Sequence, residues 1–444
     1  MAISPARTAA AEILLRVERE DSFASELLHS ARYSRLSSSD HGLATELVMG
    51  VLRWRSVLDQ RIAEASIQKL ERLDCEVLTA LRLAAYQLFF LSRVPARAAI
   101  FESVEWVKSA RKRSAAPFVN AVLRKLARIA PGKPLDSTDA SAVAGLAEST
   151  AHPEWLVARW VEAYGLDAAR RICSHDQAMP QTAIHLQTAE TVHALEESGI
   201  VLGPGVLLSS ARRIRSGDVT KTLAYRDGSI SIQDEGSQLV ALLVGCGSTI
   251  LDCCAAPGSK TSLLARRNPA ARVVAADLHP HRARLLRQLA RQPNVHVMAA
   301  DARYLPLTQR FDRILADVPC SGTGTLARHP EIKWRLRPED LLDLQSRQID
   351  ILKSALDRLA PGGRLVYSTC SLEREENETV VETALHGSPE FRLADCRTEL
   401  EQLRQSGELA WQDIESLLSG RFLRTLPGTH DCDGFFAALI ERRT

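Results

Sequence analysis

The sequence predicts a multidomain fold, with an all-α helical bundle first, a small α/β lobe next, and a larger α/β domain last. Apolar residues of the first 130 residues recur at intervals of three and four, the period of amphipathic helices. Short strand patterns flank one helical pattern between 180 and 235. From 236 onward, strand and helix patterns alternate, which is typical of a mostly parallel, doubly wound sheet.

The domain boundaries follow the changes in this pattern along the 444 residues. The stretch 131–150 is small, polar and interrupted by Pro and Gly, so a linker is predicted there. We divide the chain into a helical domain at 1–135, a linker at 136–150, a helical lead-in with the small lobe at 151–235, and the large α/β domain at 236–444. Strands of the large domain are predicted at 248–254, 271–277, 294–301, 310–317, 363–370 and 434–441.

Composition excludes several classes of protein. Apolar residues make up 45% and charged residues 25%, which is ordinary for a globular protein and excludes a disordered or collagen-like chain. No apolar stretch approaches the ~20 residues of a membrane span, and the N-terminus lacks the features of a signal peptide. Nine Cys at irregular spacing, with no CxxC, fit neither a disulfide scaffold nor a zinc site. We expect a cytoplasmic, metal-free protein, and a monomer.

The charge is unevenly distributed. Residues 1–130 hold 20 Lys+Arg and 14 Asp+Glu, a net charge of +6, whereas 131–444 hold 36 and 40, a net charge of −4. The segment 108–128 contains seven basic residues and no acid. Such a run indicates either a polyanion partner or an ordinary solvated helix surface, and charge alone does not decide between them.

Acidic residues end three successive predicted strands: Asp252, Asp277 and Asp301. Ligands of open α/β sheets bind at the carboxyl ends of the strands, where an acid commonly accepts hydrogen bonds from ribose. A single such Asp is more often a cap or turn residue, but three in succession favour a cofactor that carries adenosine. The loop 252–261 after the first strand is neither a GxGxxG nor a P-loop motif, although its small residues allow close approach of a ligand.

Cysteines lie at the ends of the next two strands. Cys320 follows Asp317 in the sequence DVPCSGTG, and Cys370 ends the strand that finishes in STC. Each alone reads as a small buried apolar residue. Two at neighbouring strand ends, one close to an acid, are typical of a reactive thiolate.

These motifs resemble those of the S-adenosylmethionine-dependent RNA cytosine-C5 methyltransferases. The similarity rests on DCCAAPGSKT (252–261), DVPCSGTG (317–324) and YSTCSLEREENE (367–378), and on their order. SIQDEGSQLV (231–240), HPEIKW (329–334) and DGFFAALI (433–440) also fit. Residues 180–230 resemble the RRM-like lobe of these enzymes, the last domain their Rossmann-like catalytic domain, and 1–130 the NusB antitermination-factor fold. The combination is characteristic of bacterial enzymes that methylate 16S ribosomal RNA.

The resemblance implies a role for individual residues. Cys370 is then the nucleophile that adds to cytosine C6, Cys320 assists release of the product, and Asp317 binds the base and protonates N3. The implied cofactor-binding residues are Cys254, Ala255, Ala256, Pro257, Gly258, Ser259, Lys260, Asp277 for the ribose, Asp301 for the adenine, and Asp317. Lys260 could contact cofactor or base, and Arg282 could contact cofactor or solvent.

Several alternatives stay open at this point. Ser259 stands where the family usually has Gly, and 397–426 matches the family poorly, so no role is assigned to that stretch. The substrate could be 16S ribosomal RNA, an early small-subunit assembly intermediate, or another RNA such as tRNA or 23S ribosomal RNA. A NusB-type RNA-binding regulator with an inactive catalytic domain is a further alternative. The missing GxGxxG argues against a nicotinamide dehydrogenase, and the cysteine pair argues against a DNA cytosine methyltransferase.

Overall fold

The computed structural model of the chain describes residues 3–20, 22–128, 142–186 and 189–444. It divides into two compact units. Unit 1 comprises Met1–Met179 and Leu326–Arg335, and unit 2 comprises Pro180–Thr325 and Leu336–Thr444. In the described ranges, no helix is both long enough and apolar enough to cross a membrane.

Unit 1 is helical, as the period of its apolar residues predicts. Its first ten α-helices are α1 (Pro5–Glu20), α2 (Ala24–Leu28), α3 (Ser38–Arg53), α4 (Arg55–Ala65), α5 (Cys75–Phe90), α6 (Ala96–Ser109), α7 (Ala116–Leu126), α8 (Val143–Ser149), α9 (Glu154–Tyr164) and α10 (Leu166–Gln177). Ser37 caps α3 by accepting a hydrogen bond from the Asp40 amide. The buried faces of α1, α3, α5 and α7 form one apolar core.

Part of the predicted linker at 136–150 is helical in the structure. Residues 136–141 lie outside the described residues, and α8 occupies most of the remainder. Leu146 and Ala147 of this helix are buried, so its apolar side chains fix it in unit 1.

Unit 2 begins with the small lobe. Its elements are β1 (Ala183–Leu186), α11 (Ala189–Glu197), β2 (Val201–Pro204), β3 (Ala211–Ser216), α12 (Leu223–Arg226) and β4 (Ile230–Ile232). The four strands form an antiparallel sheet in the order β2-β3-β1-β4. A βαββαβ chain order with this strand order is the RRM-like arrangement. The prediction found β1, α11 and β4 and missed the two strands between them.

The larger part of unit 2 is an α/β domain. Its helices are α13 (Glu235–Leu243), α14 (Ser259–Arg267), α15 (Pro280–Leu289), a short α16 (Ile332–Arg335) whose segment belongs to unit 1, α17 (Asp340–Asp357), α18 (Glu378–Leu385) and α19 (Cys396–Gln405). Its strands are β5 (Thr249–Asp252), β6 (Arg272–Asp277), β7 (Val295–Ala299), β8 (Phe311–Asp317), β9 (Leu359–Thr369), β10 (Phe391–Ala394), β11 (Leu418–Ser419), β12 (Phe422–Thr425) and β13 (Phe435–Arg442).

The sheet is mixed rather than mostly parallel. Strands β7, β6, β5, β8 and β9 are parallel neighbours in that order, as the alternating pattern predicts. Beyond β9, strands β13, β12, β11 and β10 add antiparallel pairs. Strand β13 pairs with β9, β10 and β12, and its partners β9 and β10 lie 40 or more residues earlier in the chain, so local patterns do not reveal this edge. The unassigned stretch 397–426 supplies α19, β11 and β12.

The segment Leu326–Arg335, which contains HPEIKW, packs in unit 1 although its sequence lies inside the predicted catalytic domain. Arg53 donates a hydrogen bond to the Ala327 carbonyl (2.9 Å). The buried Lys333 amine donates to the carbonyls of Arg53 (3.0 Å) and Ala151 (2.9 Å), and burial lowers the pKa of Lys333 to about 7. The chain therefore leaves unit 2 shortly after Cys320, enters unit 1, and returns at Leu336.

Candidate active site

The site forms where parallel strands end at one edge of the sheet. Strand β8 lies between β5 and β9, and its register places Asp317 opposite Ser368. The register between β5 and β8 pairs Asp252 with Leu315. The carboxyl ends of these three strands thus bring together residues that are more than 100 positions apart in the sequence.

Cys320 and Cys370 lie in direct contact. Their sulfur atoms are 3.3 Å apart, a hydrogen-bonding distance, and both residues are free, half-buried cysteines. The hydrogen bond with Cys370, burial, and the nearby charges of Cys370 and Glu376 raise the pKa of Cys320 well above its usual range. Cys320 therefore stays a thiol at neutral pH and can donate a hydrogen bond to the Cys370 sulfur.

Asp317 and Lys260 form an ion pair beside the cysteines. Lys260 Nζ lies 2.8 Å from Asp317 Oδ2, and Ser368 Oγ donates a hydrogen bond to Asp317 Oδ1 (2.5 Å). Burial alone would lower the pKa of Lys260, but the charge and hydrogen bond of Asp317, with a contribution from Cys370, raise it. Lys260 is thus a fixed cation at the site, and the structure places it against Asp317, also 5.1 Å from the centre of the Phe435 ring.

Glu376 links the two cysteine loops, and the sequence analysis did not single it out. This buried carboxylate accepts hydrogen bonds from the Ser321 amide (2.8 Å), the Ser321 hydroxyl, the Ser371 hydroxyl (2.5 Å) and Gln348 Nε2 (2.8 Å). Ser321 follows Cys320 and Ser371 follows Cys370, so one carboxylate fixes both loops. The sequence offered one signal for Glu376, its position within the motif EREENE. Acidic residues in such a run are ordinarily exposed to solvent, so the run does not predict a buried carboxylate.

Backbone contacts add to this connection. The Gly324 amide donates to the Cys370 carbonyl (2.9 Å), and the Gly434 amide donates to the Gly324 carbonyl (2.7 Å). A Cβ at Gly324 would lie 2.3 Å from the Gly434 carbonyl oxygen, so a side chain cannot fit there. These contacts tie the Cys320 loop to the strand ends of β9 and β13.

The loop after β5 forms a cradle with small side chains. Gly258, at φ +118°, precedes α14, and a Cβ there would lie 2.7 Å from Leu286 Cδ1. No side chain caps the start of α14, so its first amide groups, beginning with Ser259, are available to a ligand. Ala255 is buried, and burial raises the pKa of Cys254 well above its usual range, so Cys254 is a neutral thiol.

Asp252 lies buried beneath this loop. Its Oδ2 accepts a hydrogen bond from the Thr261 hydroxyl (2.7 Å), while Oδ1 has no partner among the described residues. Burial raises the pKa of Asp252 to about 7, despite the opposing effect of the Thr261 hydrogen bond. The group therefore titrates near neutral pH.

Asp277, at the end of β6, forms a hydrogen bond to the same loop. Its carboxylate accepts hydrogen bonds from the amides of Ala256 (3.2 Å) and His279 (3.1 Å). Arg282 Nε lies 3.9 Å from Asp277, and its guanidinium donates to the Ala256 carbonyl (3.2 Å). A carboxylate has about four lone-pair positions, so Asp277 retains capacity for a further donor such as a ribose hydroxyl.

Asp301 forms an ion pair with the nearby Arg303. Its carboxylate accepts hydrogen bonds from the Arg303 amide (3.0 Å) and forms an ion pair with the Arg303 guanidinium (2.7 Å). The hydrogen bond from Arg303 lowers the pKa of Asp301, so the group is ionised. The structure thus shows Asp301 as a cap with a cationic partner, the ordinary alternative for a strand-end acid.

The basic run of unit 1 is divided between paired and unpaired cations. Lys108 pairs with Glu105 (2.6 Å), Lys112 pairs with Asp74 (2.9 Å), and Lys125 donates to the Glu64 carbonyl (2.9 Å). In the described ranges, four exposed cations of the run have no carboxylate partner: Arg111, Arg113, Arg124 and Arg128. These four are the ones best able to bind a polyanion.

Comparison with known proteins identifies the chain. Residues 240–441 match the family model "16S rRNA methyltransferase RsmB/F", and residues 4–128 match the NusB family. "Probable ribosomal RNA small subunit methyltransferase B" of Bacillus subtilis (strain 168) is 34% identical over 98% of both chains. The chain belongs to the 16S rRNA methyltransferase RsmB/F family.

Further relatives agree with this assignment. "Ribosomal RNA small subunit methyltransferase B" of Vibrio cholerae is 32% identical over 98% of this chain and 97% of its own. The solved structure described as "Crystal Structure of PH0851" matches 99% of both chains with a TM-score of 0.80 at 22% identity, which supports the fold. The predicted fold class, NusB-like helices followed by a Rossmann-like methyltransferase domain, is confirmed.

Members of the RsmB/F family use S-adenosylmethionine, and the predicted cofactor is confirmed. The residues present fit this group. A Cβ at Gly258 would clash with Leu286, so glycine lets the loop pack closely against α15, and the uncapped start of α14 suits the negative carboxylate of a methionine moiety. Asp277 offers acceptor positions at the end of the adjacent strand.

Proposed function

We propose that the chain transfers a methyl group from S-adenosylmethionine to C5 of a cytosine in 16S ribosomal RNA, through a covalent bond between Cys370 and C6 of the base. The observation that carries the proposal is the contact between Cys320 and Cys370 beside the Asp317–Lys260 pair. The names of the relatives in Bacillus subtilis and Vibrio cholerae support the ribosomal substrate. We further expect a cytoplasmic enzyme that acts as a monomer.

The cofactor is assigned to the loop that begins at Cys254 and ends at Lys260, with Asp277 toward the ribose and Asp301 toward the adenine. When bound, the sulfonium of S-adenosylmethionine supplies an electrophilic methyl group. The amides at the start of α14 orient its methionine part. The use of Asp301 requires that the adenine share this carboxylate with Arg303.

Cys370 provides the nucleophile. Its sulfur forms a bond to C6, and the electrons of the C5–C6 double bond move toward N3, which takes a proton from Asp317. Because Asp317 is a carboxylate in the ion pair with Lys260 (2.8 Å), it must first take up a proton from solvent, and Lys260 stabilises the carboxylate that the transfer to N3 restores. C5 then carries the electron density needed to accept a methyl group.

Cys320 acts in release of the product. After C5 gains the methyl group, its proton must pass to a base such as water, N3 must return its proton to the Asp317 carboxylate, and the Cys370–C6 bond must break to restore the aromatic ring. Cys320 contacts the Cys370 sulfur, so it can assist the departing thiolate by donating a hydrogen bond. Its raised pKa keeps the required proton on Cys320.

RNA reaches this site only if the target base leaves its stack. Flipping a base costs roughly a few kcal/mol, which contacts to the RNA backbone must offset. Arg111, Arg113, Arg124 and Arg128 of unit 1 are suited to phosphate contacts because the described structure gives them no carboxylate partner. We propose that unit 1 selects the RNA, either free or in an early assembly intermediate of the small subunit.

The two cysteine variants test this proposal. Cys320→Ala should form a covalent protein–RNA adduct that survives denaturing gels, because attack proceeds while release fails. Cys370→Ala should bind S-adenosylmethionine and form no adduct or product. An adduct with Cys370→Ala instead would reverse the two roles, and mapping of 5-methylcytosine in ribosomal RNA with and without the gene would establish the substrate.

A further inference from the structure

A mixed basic and apolar surface lies on unit 2, outside the site described above. It consists of Leu223, Tyr225 and Arg226 on α12 together with Arg284, Leu285, Arg287, Leu289 and Arg291 on and just after α15. Arg291 joins the two helices because its guanidinium donates a hydrogen bond to the Arg226 carbonyl (3.0 Å). We call this the α12–α15 surface.

The cations on and just after α15 lack acidic neighbours in sequence, whereas Arg226 is followed by Asp227. Residues 278–300 contain four Arg and no Asp or Glu. Arg284 and Arg287 follow the spacing i and i+3, so they lie on one face of α15, and Arg291 lies just after the helix ends at Leu289. Across the described part of unit 2, no carboxylate lies within ion-pairing distance of these three arginines; Asp227 is the acid that interacts electrostatically with Arg291 and with Arg266.

Large apolar side chains are exposed among these cations. The exposed fraction is 75% for Leu223, 36% for Tyr225, 44% for Leu285 and 46% for Leu289. Exposed apolar groups that interrupt a strongly charged region mark an interaction site more often than a simple solvated surface. Their combination with unpaired arginines matches RNA, which offers phosphates to the guanidinium groups and base or sugar faces to the apolar side chains.

The buried face of α15 links the surface to the cofactor loop. Leu286 is fully buried and packs against Gly258. Arg282 donates a hydrogen bond to the Ala256 carbonyl. The exposed arginines therefore lie one helix thickness from the loop assigned to S-adenosylmethionine.

We propose that the α12–α15 surface is a second RNA-binding surface, which holds the RNA backbone on the catalytic unit independently of unit 1. This inference rests on the proposed function in that the RNA is the methylation substrate. An acidic protein segment is the competing occupant, and the experiment below separates the two.

The test replaces Arg226, Arg284 and Arg287 with Gln in one variant of the full chain. The matched control replaces Arg347, Lys353 and Arg443 with Gln, which removes the same charge from exposed positions of unit 2, two of them on the acid-bearing helix α17. Binding of an unmodified 16S ribosomal RNA transcript is measured from 50 to 200 mM KCl. Each lost phosphate contact lowers the slope of log affinity against log salt by about 0.7–0.9.

We expect the α12–α15 variant to lower the slope by about 2 and to weaken RNA binding at least tenfold at low salt. The control should retain the slope of the parent, and both variants should bind S-adenosylmethionine like the parent. Equal slopes for the parent and the α12–α15 variant would overturn the proposal and leave an acidic protein as the occupant. Absence of methyl transfer by the parent would instead refute the proposed function, whatever the RNA slopes.

Discussion

Replacement of Glu376 by Gln should disturb the catalytic cysteines without touching them. The carboxylate accepts four hydrogen bonds, from Ser321 (two), Ser371 and Gln348, and it is fully buried. The amide of Gln retains one acceptor oxygen, and its NH2 group faces donors. The two fixed donors, the Ser321 amide and Gln348 Nε2, both bond Oε1 of Glu376, so the oxygen of Gln can accept both, while the two serine hydroxyls, which bond Oε2, can rotate and accept from its NH2 group.

The loss of stability in Glu376→Gln can be estimated from these four hydrogen bonds. A hydrogen bond to a charged group contributes about 1.5–3 kcal/mol and a neutral one about 0.5–1.5 kcal/mol, so each bond from the two fixed donors weakens by about 1–1.5 kcal/mol when the charge is lost. Glu376→Gln should therefore reduce the free energy of unfolding of unit 2 by about 2–3 kcal/mol, and Glu376→Ala by more, because all four donors lose their acceptor. Glu382→Gln, at an exposed position of α18, is the matched control.

Two assays separate a stability effect from a positioning effect. Urea unfolding gives the free energy, and the rate of thiol alkylation against pH reports on the cysteines in the folded protein. The Glu376 charge contributes to the raised pKa of Cys320, after the Cys370 hydrogen bond and burial, so Glu376→Gln should shift alkylation of Cys320 to lower pH. An unchanged denaturation midpoint and an unchanged alkylation profile would refute the argument that Glu376 fixes both loops.

Three further predictions concern the cofactor, the RNA and pH. Asp277→Ala should weaken S-adenosylmethionine binding at least tenfold by calorimetry, because the brace on Ala256 and the proposed ribose acceptor are both lost; affinity like that of the parent would contradict this placement. Neutralising Arg111 and Arg113 should lower the salt slope of RNA binding more than neutralising Lys108 and Lys112, which are already ion-paired; equal effects would show that pairing is irrelevant. Asp252 binds a proton more tightly in the folded state than in the unfolded state, so its contribution to stability is lost as pH rises from about 4 to 7, on the order of 4 kcal/mol. Asp252→Asn should flatten that dependence in urea unfolding, and a pH profile parallel to that of the parent would contradict the assignment.

The fold class could be predicted because its signals are local. Helical periodicity in 1–130 and strand–helix alternation after 236 each depend on a few neighbouring residues, and both agree with the structure. The antiparallel edge formed by β10 to β13 could not be predicted in the same way, because strand order is decided by long-range pairing. The placement of 326–335 in unit 1 depends on buried contacts such as those of Lys333, which resembles a surface residue in sequence.

The site could be predicted to the level of strand ends and no further. Cys320, Cys370 and Asp317 lie where parallel strands end, so their proximity follows from the topology. The residues that contact these three groups cannot be predicted from the topology. Glu376 bonds Ser321, which lies 55 residues earlier in the chain, and Lys112 pairs with Asp74 from another part of the chain. Composition alone therefore does not show that Glu376 is buried or that the charge of Lys112 is neutralised.

The surroundings of the two cysteines provide a physical reason for the division of roles that the resemblance only implies. The hydrogen bond with Cys370, burial and, to a smaller extent, the Glu376 carboxylate raise the pKa of Cys320, so its proton is retained. Cys370, by contrast, interacts with Lys260, whose raised pKa keeps a cation at the site. The Lys260 ammonium therefore faces Cys370, whereas Cys320 retains its proton. That distribution is the one in which Cys370 attacks and Cys320 assists departure.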